Sequence, residues 1–147
     1  MGLLSPADQE TLRESFAEMT SNVRVLFFSQ TLDCESCLPT RQILDELPLL
    51  SDKIAIEEIN FILEKEKAAQ YGVDRVPALA LLADNGDGTP HDSRIRFLGA
   101  PSGYEFISLV QALLLVGGRP SGLTDESRQK LEAVTTPMTV QVFTTPT

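Results

Sequence analysis

Two short apolar runs, at positions 23–28 and 78–82, most constrain the fold of this chain. The first, Val23-Arg24-Val25-Leu26-Phe27-Phe28, is rich in β-branched and aromatic residues and nearly continuous in apolar ones. Runs of this length and composition are typical of strands that are buried on both faces of a mostly parallel sheet. The sequence therefore predicts an α/β domain built around these strands.

The remaining apolar patterns complete a layered architecture. Helical spacing predicts helices at 5–19, 34–47, 64–70 and 103–116, and further strands are predicted at 53–60 and 95–98. The turn Asn85-Gly86 favours an antiparallel hairpin between the last two strands. We expect two right-handed β-α-β crossovers feeding that hairpin, in a central four-stranded mixed sheet with helices on both faces.

Charge and cysteine content exclude several classes of protein. The 147 residues carry 12 Lys and Arg against 21 Asp and Glu, a formal net charge of −9. This balance excludes nucleic acid and anionic membranes as expected partners, since both attract clustered cations. Two cysteines are too few for a disulfide-rich secreted scaffold. The first residues lack the basic and apolar regions of a signal peptide, so we expect a cytoplasmic protein.

The C-terminal part of the chain resembles its beginning. Leu131 follows Leu123 by eight residues, as Leu12 follows Leu4, and the segment 140–145 resembles 25–30. We interpret residues 1–120 as one domain and residues 121–147 as a helix and strand that begin a second repeat. Chance similarity of a helix–strand unit is the alternative. A terminal strand without its own sheet would be poorly anchored or would pack on a partner chain, and the second case makes a homodimer through this strand a candidate assembly.

The motif Cys34-Glu35-Ser36-Cys37 is the strongest chemical signal in the sequence. It follows a buried strand and opens a helix, where free amides and the helix dipole stabilise a thiolate. Cys34 is the expected reactive thiol, and Cys37 is placed to resolve a mixed disulfide. Half of a zinc site and a pair of unreactive cysteines are the alternatives. Zinc has little support because no second cysteine pair exists and His91 is the one histidine, so we predict no metal site.

These motifs resemble those of thioredoxin-fold proteins. Within that group, the chain resembles the N-terminal unit of the tandem protein disulfide oxidoreductases, also called glutaredoxin-like proteins. Val76-Pro77, which follows Tyr71-Gly72-Val73, matches the cis-proline loop of that family. The resemblance implies a thioredoxin-like fold in which Pro77 lies against the cysteine pair and the Val76 backbone binds an extended substrate. An ordinary proline at the start of a strand is the alternative.

The segments 97–106 and 117–120 also resemble the N-terminal domain of the flavoprotein component of alkyl hydroperoxide reductase. That domain contains two fused thioredoxin-like repeats, in agreement with the interpretation of residues 121–147. Its first repeat lacks the cysteine pair, whereas this chain has Cys34 and Cys37. The resemblance therefore favours the disulfide oxidoreductases.

Three acidic residues are expected to tune the pair. Asp33 and Glu35 flank Cys34, and their charges should raise the pKa of its thiol and make the couple more reducing. Glu58 shares a strand face with Ile54 and Ile56, so it is a candidate proton acceptor for the resolving thiol. An exposed position at the edge of the sheet is the alternative for Glu58.

The sequence thus predicts a thiol–disulfide oxidoreductase that acts on protein thiols and disulfides. It needs no cofactor, since the electrons reside in the sulfur atoms. A flavoprotein reductase or a peroxiredoxin is a candidate redox partner, and electron delivery to a peroxidase system is one alternative function. The other is a non-catalytic docking module whose active pair lies in an absent second repeat.

Overall fold

The computed structural model describes residues 2–145. Its elements follow the predicted order, including the helix expected within residues 121–147. They are α1 (Pro6–Ala17), β1 (Asn22–Ser29), α2 (Cys37–Glu46), β2 (Ile54–Asn60), α3 (Lys65–Gln70), β3 (Ala78–Asp84), β4 (His91–Leu98), α4 (Tyr104–Val116) and α5 (Asp125–Glu132).

The four strands form one mixed sheet in the order β2-β1-β3-β4. β1 is parallel to β2 and antiparallel to β3, and β3 is antiparallel to β4. The predicted four-stranded mixed sheet and its hairpin are therefore confirmed. The second parallel crossover is wrong, because β3 runs opposite to β1 and β2. β2 ends at the edge of the sheet where β1 ends, and β3 begins at that same edge with Ala78 paired with Phe28, so residues 61–77 turn back without crossing the sheet.

Each face of the sheet carries its own hydrophobic core. Val23, Val25 and Phe27 of β1 belong to the core shared with α1, α2 and α4, while Leu26 and Phe28 belong to the core shared with α3. Because both faces are covered, β1 is apolar at nearly every position, as the sequence suggested. Helices on both faces of the sheet are confirmed.

The first helix and the last begin in the same way. The Ser5 side chain accepts a hydrogen bond from the Asp8 amide at the start of α1, and the Thr124 side chain accepts one from the Ser127 amide at the start of α5. α5 has 8 residues where α1 has 12, so it is about one turn shorter.

The strand predicted at 140–145 does not form in the part of the chain that the structure describes. A strand needs neighbouring strands to satisfy its backbone groups, and the four-stranded sheet lies elsewhere. Residues 146 and 147 lie outside the described residues. The assignment of 121–147 to a second repeat therefore stays a prediction. Within residues 2–145, no helix has the length and apolar character required to span a membrane.

Candidate active site

The cysteine pair lies at the edge of the sheet where β1 ends. Cys34 and Cys37 are joined by a disulfide, with their Cα atoms 5.4 Å apart. Cys37 is the first residue of α2 and is 4% exposed, whereas Cys34 lies in the preceding turn and is half-buried. The Cys37 amide donates a hydrogen bond to the Cys34 carbonyl over 3.3 Å. Cys34 is thus the more accessible sulfur, beside the positive end of a ten-residue helix.

The side chains of the two acidic residues beside Cys34 face the solvent. Asp33 has a backbone φ of 55°, in the left-handed region that Asp tolerates better than most residues. The side chains of Asp33 and Glu35 are exposed and form no hydrogen bond or ion pair with any residue from 2 to 145. Their carboxylates can therefore interact with a molecule that binds next to Cys34.

The Val76-Pro77 peptide bond is cis, as the resemblance implied. Ala78, the next residue, is paired with Phe28 in the sheet, so Val76 and Pro77 lie at the edge where β1 ends. The Pro77 carbonyl accepts a hydrogen bond from the Gly99 amide over 2.9 Å. The half-buried Val76 makes no backbone hydrogen bond within residues 2–145.

Glu58 lies on β2, which is an edge strand, and its side chain is 41% exposed. The structure thus shows the edge position that was the alternative for this residue. The Glu58 carboxylate accepts a hydrogen bond of 2.6 Å from the buried hydroxyl of Ser29 and forms an ion pair with Arg41. We call these three residues the Glu58 network; they join the ends of β1 and β2 to α2.

The electrostatics of this network favour an ionised Glu58. Burial raises the pKa of its carboxyl, but the hydrogen bonds from Arg41 and Ser29 and the charge of Arg41 outweigh burial, so its pKa lies below the ordinary value. The hydrogen bond to Glu58 likewise raises the pKa of Arg41. A carboxylate with a lowered pKa is a weaker proton acceptor, so these contacts favour a positioning role for Glu58.

Arg41 and Ser29 were not identified from the sequence as members of this site. Arg41 lies four residues after Cys37, and therefore on the same side of α2. Ser29 is the residue opposite Asn60 at the last position of the β1–β2 ladder. The helical spacing was a usable signal for Arg41, but Ser29 requires the strand register. Among the described residues 2–145, no group of three His, Cys, Asp or Glu side chains is arranged to hold a metal ion.

Comparison with known proteins gives a consistent result. The chain is 36% identical over 93 residues to a probable thioredoxin of Methanothermobacter thermautotrophicus, a match that spans 63% of this chain and 94% of that protein. It is 37% identical over 90 residues to an alkyl hydroperoxide reductase component of Xanthomonas campestris pv. phaseoli, a match that spans 61% of this chain and 14% of that protein. No family model matches the chain.

Solved structures show similarity over a larger part of the chain. The NTD_N/C domain of alkylhydroperoxide reductase AhpF from Enterococcus faecalis superposes with a TM-score of 0.78 at 30% identity, over 90% of this chain and 61% of that one. A protein disulfide oxidoreductase from Aeropyrum pernix superposes with a TM-score of 0.72 at 25% identity, over 88% of this chain and 54% of that one.

The fold and the cysteine pair define a thiol–disulfide oxidoreductase centre on a thioredoxin-like sheet. The chain belongs to the thioredoxin family.

Proposed function

We propose that this chain exchanges disulfides with protein substrates through Cys34 and Cys37. The observation that carries the proposal is the difference between the two sulfurs. Cys34 is partly accessible at the start of a helix, and its disulfide partner Cys37 is buried behind it. This is the arrangement that an attacking thiol and a resolving thiol require.

The exchange transfers two electrons and two protons. The Cys34 thiolate attacks one sulfur of the substrate disulfide, so a Cys34–substrate bond forms, and the other substrate sulfur leaves as a thiolate and is protonated. The Cys37 thiolate then attacks the Cys34 sulfur, and the second substrate thiol is released. The substrate disulfide becomes two thiols while the Cys34–Cys37 dithiol becomes a disulfide; the reverse sequence oxidises a substrate.

Val76 and Pro77 form the proposed substrate-binding segment. The Val76 backbone lacks a hydrogen-bond partner within residues 2–145 and lies at the edge of the sheet that carries Cys34. An extended substrate segment paired with Val76 would satisfy these groups and hold the substrate sulfur beside Cys34. N-methylation of the substrate amide that pairs with Val76 is expected to weaken substrate binding. It should not change the rate at which the substrate disulfide reacts with small thiols.

Asp33, Glu35 and Glu58 are the proposed tuning residues. The exposed charges of Asp33 and Glu35 disfavour a thiolate at Cys34, which favours the disulfide and makes the couple more reducing. Glu58 acts by position, since its network ties α2 to the ends of β1 and β2.

The partner proposed for this centre is a redox system of the type named in its relatives. Similarity to the alkyl hydroperoxide reductase proteins of Xanthomonas and Enterococcus supports a flavoprotein reductase or a peroxiredoxin as partner. We also propose the cytoplasm as the location of this chain. Residues 121–147 as the start of a second repeat are supported by α5 and by the extent of the match to the Enterococcus domain. A homodimer through the segment 140–145 is the assembly we propose where no second repeat follows.

The test is a trapping experiment with an oxidised protein substrate. Cys37→Ser is expected to accumulate a mixed disulfide at Cys34, while Cys34→Ser and Cys34→Ser/Cys37→Ser should accumulate none. Turnover of the wild type with a flavoprotein reductase and a peroxiredoxin then separates electron delivery from general exchange. A mixed disulfide formed at Cys37 in the Cys34→Ser variant, and none at Cys34, would overturn the assigned roles.

A further inference from the structure

Four exposed apolar side chains lie in segments that flank the cysteine pair or leave the sheet at the same edge. Leu32 is 77% exposed and Leu38 is 59% exposed; these residues lie just before Cys34 and just after Cys37. Ile62 and Leu63 are 53% and 80% exposed in the turn that follows β2. We call this group the redox rim. Side chains of this type are normally covered when they form a contiguous patch, so the rim has the character of a contact surface.

The strand register brings the two halves of the rim together. Ser29 is paired with Asn60 at the end of the β1–β2 ladder, and the Phe61 amide donates a hydrogen bond of 2.8 Å to the Ser29 carbonyl. The turn that carries Ile62 therefore leaves the sheet beside the turn that carries Leu32 and Cys34. A protein that reaches Cys34 meets both turns.

The only charged side chains in the segments that carry the redox rim are negative. Residues 30–38 and 60–63 contain Asp33 and Glu35 but no Lys or Arg. Two nearby cations are already engaged, because Arg41 is paired with Glu58 and Arg75 with Asp74. Lys65 at the start of α3 is the cation closest along the chain to Ile62 and Leu63.

We propose that the redox rim selects protein substrates whose reactive cysteine lies between an apolar residue and a Lys or Arg. The apolar neighbour packs against Leu32, Leu38, Ile62 and Leu63, and the cation pairs with the carboxylates of Asp33 and Glu35, which have no partner within residues 2–145. The inference rests on the proposed function and names its substrate class.

The expected selectivity is moderate because both carboxylates are exposed. A cation held about 7 Å from one carboxylate in a water-like medium changes a binding constant about threefold. Two carboxylates give roughly tenfold at low ionic strength, and most of it disappears at about 0.5 M salt.

The probes are three peptides with blocked termini and the sequence Leu-Cys-X, where X is Lys, Gln or Glu, each joined through its cysteine to 2-mercaptoethanol. Single-turnover reduction by the reduced protein gives a second-order rate constant for each. Each constant is divided by the rate of reduction by free dithiothreitol, which removes the effect of the flanking charge on intrinsic reactivity. The wild type is expected to prefer Lys over Gln roughly tenfold, and Gln over Glu by a similar factor.

Asp33→Asn/Glu35→Gln is expected to bring the Lys/Glu ratio to within about twofold. Glu14→Gln makes the same kind of charge change on the exposed face of α1 and should leave the ratio unchanged. An effect of Asp33 and Glu35 on the reactivity of the Cys34 thiol would change the rate constants of all three peptides by a common factor. The Lys/Glu ratio therefore reports substrate selection alone. Leu63→Ser should slow the Leu peptides relative to their Ser-flanked counterparts, with Leu123→Ser as the control.

Equal rates for the three peptides, or a ratio that the double variant leaves intact, would overturn the selection by charge while the proposed exchange stands. Failure of the wild type to reduce any of the peptides would instead count against the proposed function itself.

Discussion

The contact between Arg41 and Glu58 provides a prediction that can be worked out from the structure. Their side chains are 45% and 41% exposed, so solvent screens the pair, and a coupling free energy of about 0.2–1 kcal/mol is expected. Arg41→Met, Glu58→Gln and the double variant form a double-mutant cycle that isolates this coupling from the separate effects of each substitution.

The coupling must also depend on pH in a defined direction. The pKa of Glu58 is lowered in the folded protein, so ionisation of Glu58 stabilises the fold above its unfolded pKa, near the ordinary value of 4.5. That stabilisation is lost as the pH falls through the lowered, folded pKa, while Arg41 stays charged throughout. We therefore expect the full coupling at about pH 7 and a smaller coupling at about pH 2.5.

Urea denaturation of the four oxidised proteins at both pH values measures the coupling directly. A coupling of equal size at both pH values, or none at pH 7, would refute the description of this contact as an ion pair with an ionised Glu58. Since the pair ties α2 to the sheet edge, Arg41→Met should also lower the rate of disulfide exchange, and Arg41→Lys should restore part of it.

Three further predictions concern the thiol and the core. Asp33→Asn/Glu35→Gln should raise the reduction potential of the cysteine pair by about 15–30 mV, because each exposed carboxylate at about 6 Å from the Cys34 sulfur disfavours the thiolate by about 0.7 kcal/mol. Redox titration with mass detection measures this potential, and an unchanged value would contradict the prediction. Gly118→Ala should destabilise the fold by about 1–3 kcal/mol in urea, because φ is 110° and the added Cβ would lie 2.0 Å from Thr20 Oγ1. Phe16→Ala should cost about 3–5 kcal/mol by the same measurement, since Phe16 is fully buried; a loss below about 1 kcal/mol would argue against the described core.

The sequence predicted the elements whose patterns are strong and local. The continuous apolar run at 23–28 marks a strand covered on both faces, and the cysteine motif directly after it marks the reactive edge. The turn at Asn85-Gly86 similarly predicted the hairpin that β3 and β4 form. In these cases each residue's preference agrees with the final fold, so little information from distant parts of the chain was needed.

The direction of β3 was predicted wrongly, because a strand has the same apolar pattern in either direction. The register of β3 with β1, in which Ala78 is paired with Phe28, shows that the chain turns back at the active edge. The Glu58 network was missed for a related reason. Its contacts depend on the register of β1 with β2, which brings together residues that are 29 positions apart, Ser29 and Glu58.

The segment 140–145 shows where local propensity was insufficient. Val140, Val142 and Phe143 have strong strand preference, yet they are 79%, 80% and 88% exposed and belong to no strand. Strand propensity describes how well a side chain packs on a half-buried sheet surface, and it has no effect where there is no adjacent strand.

The reduction potential of the Cys34–Cys37 pair tests the central claim most directly. The protein is equilibrated in defined thiol/disulfide buffers, its free thiols are alkylated, and the two forms are quantified by mass. We predict a reversible two-electron couple between roughly −120 and −300 mV. A pair that stays reduced in every buffer, or a disulfide that no buffer opens, would contradict the assignment of this chain as a thiol–disulfide oxidoreductase.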